Sequence, residues 1–277
     1  MNADSAYVIG KSHEVCQDYA RSGVVDGMAY GIIADGCSSS KDSDVGARLL
    51  VLNAERLITT ANLSSFPNLR KTVGDIGWNA AGNAIRQVEG LGLESCALDA
   101  TLLIAVSNGR EAALAAFGDG MLILVGPGHT QIDEVEFASG YPCYLSYKME
   151  ESRRQQYDLV GGIGRRTRTT WHVGGKTEDS KDMVPHQAAF TLSGPKNGEV
   201  FVAAVLSDGV RSFYKRRGDG GSIPIPTDEV LEHLLAFKLP KGRFVQRRMN
   251  AFLKQATKMG WEHYDDLSMA AIHLGSR

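Results

Sequence analysis

Uninterrupted apolar runs recur along the chain: "AYGIIA" from Ala29, "TLLIAV" from Thr101, "AALAAF" from Ala112, "MLILVG" from Met121 and "VAAVL" from Val202. Each is short and bounded by Gly, Asp or Asn, which marks buried strands rather than helices. A longer period governs "SDVGARLLVLNAERLITT", where apolar residues fall at helical spacing behind a Ser43 or Asp44 cap. The same spacing predicts helices in "FPNLRKTVGDIGWNAAGNAIRQVE", "TDEVLEHLLAF" and "GRFVQRRMNAFLKQATKMG".

Turn chemistry joins the strands. In "QDYARSGVVDGMAYGIIADG", Asp26-Gly27 suits a two-residue type I′ turn, whose central positions both need positive φ. Folding back about it sets Asp18 opposite Asp35, provided no bulge intervenes. A second hairpin, "ATLLIAVSNGREAALAAFGDG", turns at Asn108-Gly109 and returns the chain to Asp119. Asp119-Gly120 reads equally as one more turn or as part of a site. The predicted order is two strands, two helices, three or more strands, an irregular stretch, a strand, two helices and a strand. Helices segregated from consecutive strands favour an α+β architecture over a parallel βαβ sheet.

Residues from about His129 to Gly198 break the pattern. The stretch is polar and rich in Gly and Arg ("GGIGRRTRTTWHVGGKTEDSKD"), and reads as an excursion from the core. Its "GGIG" does not lead from a strand into a helix, so it is no dinucleotide loop. Arg165, Arg166 and Arg168 are candidates to meet a phosphorylated partner, with a solvated basic hairpin as the plainer reading.

The chain has 277 residues, 43% of them hydrophobic and 22% charged, enough to bury a large core in one extended domain or two small ones. A formal charge of −2 offers no general attraction to nucleic acid or a membrane surface. The opening "MNADSAYVIGKSHE" lacks a basic leader with an apolar core, and no apolar stretch reaches membrane-spanning length, so a cytoplasmic location is expected. Cys16, Cys37, Cys96 and Cys143 form no CxxC pair and read as reduced thiols.

The chemistry lies where the apolar runs end. Asp35 and Asp208 each close one, and Asp265 or Asp266 opens another in "YDDLSMAAIHL". If that last strand is antiparallel to its neighbours, all these acids share one rim. Carboxylates gathered in this way repel one another unless protonated or neutralised, and hard divalent cations prefer oxygen donors. Without a Cys/His cluster at zinc spacing, Mg²⁺ or Mn²⁺ fits better than zinc. "KDSDVG" lacks the third acid and the distal Glu of a calcium loop.

These pieces, in order, resemble the metal-dependent serine/threonine protein phosphatases of the PPM, or protein phosphatase 2C, type, in their bacterial branch. The resemblance is carried by "GKSHEVCQDYA", "IIADGCSSSKDSDVGARLL", "DATLLIAV", "AAFGDGMLIL", "AAVLSDGV" and "YDDLSMAAIHL", and does not usefully cover residues 129–198, where such enzymes carry a variable flap. It implies one domain over residues 1–277, built as a four-layer α-β-β-α sandwich with two central, mainly antiparallel sheets. It further implies hydrolysis of phosphoserine or phosphothreonine in proteins at a binuclear Mn²⁺ or Mg²⁺ site. Asp35 would bridge two metals, joined by the Gly36 carbonyl; Asp208 and Asp265 would hold one metal; Asp18 would orient the shell; Asp119 would help bind a third, weaker ion. Asp266 would support the strand start. His13 lies where eukaryotic relatives have a phosphate-binding arginine, and would bind phosphate or act as a general acid. A phosphorylated protein and a cognate kinase are the implied partners.

The chain departs from the pattern at Gln17, where those relatives have Glu, and at Ser212, where an acid often stands. Asp99 reads as a rim acid or a helix-to-strand cap, and Cys37 as packing or a redox-sensitive thiol. Two other readings therefore stay open: a catalytically weak phosphoprotein-binding module, and a hydrolase of small phosphoesters.

Overall fold

The computed structural model describes residues 1–60, 68–137, 142–160, 164–172, 175–184, 190–193, 200–218 and 220–275. In chain order the elements are β1 (Asn2–Val8), β2 (Asp18–Val25), β3 (Met28–Asp35), α1 (Ser43–Thr60), α2 (Leu69–Leu91), β4 (Leu102–Ser107), β5 (Ala112–Phe117), β6 (Gly120–Gly126) and β7 (His129–Phe137). Then come α3 (Leu145–Met149), α4 (Glu151–Val160), β8 (Gly164–His172), β9 (Gly175–Val184), β10 (Phe190–Ser193) and β11 (Val202–Leu206). The remainder is β12 (Phe213–Arg216), β13 (Ser222–Pro224), α5 (Thr227–Leu235), α6 (Phe244–Lys258), β14 (Trp261–His263) and β15 (Leu267–His273).

Among the described residues the strands form a sheet ordered β1-β15-β11-β6-β7-β8-β9, a second ordered β10-β5-β4-β3-β2, and a small β13-β12-β14 sheet. Three apolar layers hold the two large sheets in place. Alternate residues of β3 and β4 divide between two of them: Ile32 and Ile104 pack against α1 and α2, while Ile33 and Leu103 face the other sheet. Both faces are therefore covered, which is why these strands read as unbroken apolar runs. The third layer joins the far face of the seven-stranded sheet, through Met121, Ala204 and Met269, to α5 and α6. The result is the expected four-layer α-β-β-α sandwich. Small side chains between the sheets, including Ala105, Ala203 and Ala270, allow close approach; a Cβ on Gly31 would lie 2.9 Å from the Cβ of Ala270.

The first hairpin forms in the expected register, Asp18 opposite Asp35, with Asp26 at φ 48° and Gly27 at φ 78°. The second differs. Ser107 pairs with Ala112, so residues 108–111 make a four-residue loop instead of a two-residue turn. The Asn108 side chain explains it: its Oδ1 accepts from the amides of Arg110 and Glu111, a local bond that competes with the tighter turn. Displacement by two positions keeps every side chain on its expected face.

Residues 129–198 also differ from the irregular excursion expected. They supply β7, β8 and β9 to the seven-stranded sheet and β10 to the five-stranded one, with α3 and α4 between. Polar edge strands lack the apolar alternation that would have marked them. "GGIG" lies largely outside the described residues. The N-terminal β1, which pairs with β15, and the small sheet were not anticipated. Helix α1 starts at Ser43 itself, and the Ser43 hydroxyl bonds the Cys37 carbonyl instead of capping the helix. None of the four cysteines forms a disulfide. Among the described residues no helix is long and apolar enough to cross a membrane.

Gly46 of α1 packs on the carbonyl of Ala97, where an added Cβ would fall 1.6 Å from the oxygen; Gly74 of α2 has nothing within 4 Å. Gly46→Ala should therefore destabilise by roughly 3 kcal/mol, from forced displacement of buried backbone. Gly74→Ala should stabilise by about 0.5–1 kcal/mol, from helix propensity. Urea titration of both variants checks the pair.

Candidate metal centre

The site forms where strands of both large sheets end side by side. Asp18 begins β2 and Asp35 ends β3, paired across the ladder. Residues 99–101 clamp Asp35: its amide donates to Thr101 Oγ1 (3.1 Å), Thr101 N donates to the Asp35 carbonyl (2.8 Å), and Cys37 N donates to the Asp99 carbonyl (2.7 Å). Gly36 has no room for a side chain, since a Cβ would sit 2.8 Å from the Ser43 carbonyl. Asp119 occupies the tight crossing from β5 to β6, between Gly118 at φ 95° and Gly120 at φ 128°. It thus sits in a turn and lines the cleft described below. Asp208 opens a 3₁₀ turn after β11, and Asp265 and Asp266 precede β15, which is antiparallel to β1 and β11.

Asp35, Gly36, Asp119, Asp208, Asp265 and His13 line one open cleft of about 280 Å³. Asp18 lies beneath, 1% exposed. Its Oδ2 accepts from Ser207 Oγ at 2.8 Å, while Oδ1 is buried without a hydrogen-bond partner among the described residues. Burial pushes the Asp18 carboxyl up to about 7. Burial, then the charge of Asp208, pushes Asp119 up to about 7. Asp35 is held well above the carboxylate range by burial and by Asp18 and Asp208; Asp265 is raised by burial and Asp208. Burial and mutual repulsion thus disfavour ionisation of these carboxyls, a cost that a bound cation would offset. Among the described residues no three such groups close tightly around one point, so an ion held here would keep water in its coordination, as Mg²⁺ commonly does. The all-oxygen donor set fits Mg²⁺ or Mn²⁺.

His13 stands 3.1 Å from Asp266 Oδ2 through Nδ1 and 3.7 Å from Asp265 Oδ1 through Nε2. It belongs to the cleft and is no loose surface histidine. Asp266 supports the strand start as expected, accepting from the amides of Gly10 (2.7 Å) and Gln17 (2.5 Å), and so ties the loop carrying His13 to β15. The Gln17 side chain donates to Ser43 Oγ and Ser212 Oγ to the Gly209 carbonyl; neither lines the cleft. Arg165, Arg166 and Arg168 do not line it either: Arg165 bonds Glu136 at 2.9 Å, and Arg166 and Arg168 approach the buried Asp133 at 3.7 and 3.0 Å.

Several neighbours escaped sequence reasoning. Arg211, on the turn after Asp208, reaches within 3.8 Å of Asp208 Oδ2 and is held by Glu134 and Glu136; its position three residues after the acid was the available signal. Tyr144 and Tyr147 line the cleft from the aperiodic stretch, where no signal existed. Asp99 is a buried anchor and not a rim acid, accepting from Ser40, Ser146 and Arg153.

Residues 9–136 match the family described as Protein phosphatase 2C, a span containing His13, Asp18, Asp35, Gly36 and Asp119. Just under half of the chain is thus similar to the protein phosphatase 2C family. Solved structures of similar fold include the S. agalactiae serine/threonine phosphatase (14% identity, 99% of each chain, TM-score 0.56) and the serine/threonine phosphatase Stp1 from Staphylococcus aureus (11%, 100% of this chain and 96% of that one, 0.58). The catalytic domain of the phosphatase PstP, solved in complex with two manganese ions, is 13% identical over 97% of this chain and 96% of that one, with a TM-score of 0.55. No curated protein sequence matches the chain.

The raised carboxyls give the protein a defined pH response without metal. Between about pH 4, where unfolded Asp titrates, and about 7, the folded state binds more protons than the unfolded state, so stability falls as pH rises through this window. Chelator-treated protein should melt lower at about pH 8 than at about pH 5.5, and Mn²⁺ should restore the loss at the higher pH. Asp119→Asn should flatten the dependence; an unchanged slope in that variant would remove Asp119 from the cause.

Proposed function

We propose that the chain hydrolyses phosphoserine and phosphothreonine in proteins at a binuclear Mn²⁺ or Mg²⁺ site in this cleft. The observation that carries the reading is the convergence of Asp18, Asp35, Asp119, Asp208 and Asp265 from separate stretches, with a buried carboxylate oxygen of Asp18 left unpaired. The two manganese ions in the similarly folded PstP domain support it. Two divalent cations, when bound, supply an acidified water as nucleophile and offset charge on the phosphoryl oxygens.

Asp35 and the Gly36 carbonyl would hold both ions, Asp208 and Asp265 one of them, and Asp18, fixed by Ser207, would orient the shell from below. Asp119 with Asp208 would serve a weaker third ion, in competition with the Arg211 guanidinium nearby. His13, set by Asp266, directs Nε2 toward the Asp265 side of the cleft, where it would give a hydrogen bond to phosphate or a proton to the departing alkoxide. Ser38, Ser39 and Thr101 line the same space, and their hydroxyls can donate to phosphoryl or peptide oxygens. A cytoplasmic kinase that phosphorylates the same substrates is the partner this activity implies.

The deciding experiment is metal-dependent phosphate release from phosphopeptides, set beside an aryl phosphate and nucleotides. Asp35→Asn and Asp208→Asn should each lower kcat by at least roughly 10²-fold with the fold retained, because charge is lost with shape kept. Asp119→Asn should be milder and relieved by excess Mn²⁺. Near-normal activity in the first two variants would refute the binuclear reading.

Leaving-group chemistry isolates His13. His13→Ala should slow phosphopeptides by roughly 10²-fold or more while sparing aryl phosphates, whose phenolate departs unaided. Equal loss in KM for both classes would assign His13 to phosphate binding alone.

A further inference from the structure

Asp99 takes no part in the metal shell, yet it is 3% exposed and satisfies three side chains. Oδ2 accepts from Ser40 Oγ at 2.8 Å, Oδ1 from Ser146 Oγ at 2.8 Å, and Arg153 Nη2 lies 2.6 Å from both oxygens. Ser40 lies in the loop between β3 and α1, whereas Ser146 and Arg153, on α3 and α4, are 47 and 54 residues beyond Asp99. One buried carboxylate therefore joins the floor of the cleft to its opposite wall. Backbone bonds tie it to Asp35, since Gly36 bridges Ala100 and Thr101 and Asp35 bond in both directions.

The wall it holds is aromatic. Tyr144 and Tyr147 line the cleft, with rings 5.4 Å apart. Tyr157 of α4 backs Tyr147 at 5.0 Å, and the Arg153 guanidinium lies 4.8 Å over the Tyr147 ring. Arg153 thus grips Asp99 and Tyr147 together, and its side chain is only 16% exposed. An ion pair this buried, with Arg153 Nη1 left without a hydrogen-bond partner among the described residues, fixes geometry more than it adds stability.

We propose that Asp99 and Arg153 are a positioning pair that sets the height of the Tyr144–Tyr147 wall above Asp35, and so determines how the peptide around the phosphorylated residue is received. This rests on the phosphatase reading of the cleft. A small aryl phosphate needs only the metal shell, while a phosphopeptide must also fit against the wall. Arg153 is not among the residues that line the cleft; it acts through Asp99 and Tyr147.

Arg153→Met keeps the length and removes the charge. It should raise KM for a phosphopeptide roughly tenfold, the size of one lost well-placed contact, with kcat on p-nitrophenyl phosphate within about twofold. Arg153→Lys should recover part of the loss, since a point charge can meet Asp99 without the planar stack on Tyr147. Hydrogen exchange supplies a readout independent of activity: amides of residues 142–160 should exchange faster in Arg153→Met, with β3 and β4 unchanged. Faster exchange together with the KM split supports the pair. Unchanged exchange over 142–160, or equal losses on both substrates, overturns it. If the unaltered protein released no phosphate from any substrate, the phosphatase reading would fall, while the exchange experiment would still judge the latch.

Discussion

Mutual repulsion among buried carboxylates is the constraint around which this molecule is organised. Asp18 and Asp35 face each other across a strand pair, an arrangement that costs energy even at a surface. Here Asp208, Asp119 and Asp265 add to the same field. Such a cluster persists only if its backbone supports are stiffer than the repulsion is strong. The supports are the ends of strands in two stacked sheets, whose interiors are fully buried and leave the rim little freedom.

The small residues between the sheets belong to the same account. Alanines and Gly31 let the sheets approach closely, which brings the ends of β3, β6, β11 and β15 within reach of one cleft. Larger side chains there would move the sheets apart and separate the acids. Glycines act likewise at the rim: Gly118 and Gly120 permit the sharp crossing that presents Asp119, and Gly209 packs so closely on the Asp266 carbonyl that no Cβ would fit.

Polar side chains around the acids divide the remaining work. Ser207 satisfies one oxygen of Asp18, and Asp266 gathers the loop bearing His13. Asp99 gathers the loop bearing Cys37 and the wall bearing the tyrosines. Each is a hydrogen-bonding hub beside the acids, whereas Asp18 Oδ1 among them has no partner among the described residues. The site is therefore rigid in its frame and unsatisfied in its centre, as suits a cation and a phosphoryl group.

By itself the sequence determined the strands covered on both faces, helices α1, α2, α5 and α6, the Asp26-Gly27 hairpin with its Asp18–Asp35 pair, and the placement of acids at strand ends. All of these follow from local period, turn geometry and the termination of apolar runs, which are properties of neighbouring residues. Tertiary structure alone decided the rest. The polar strands of residues 129–198 are recruited by pairing with edges that already exist, so they carry little signal of their own. The hubs at Asp99, Asp266 and Arg211 bring together residues far apart in the chain. A lone aspartate reads the same whether it caps a helix or holds a wall, because what distinguishes the two is the burial and partners it finds after the layers have packed.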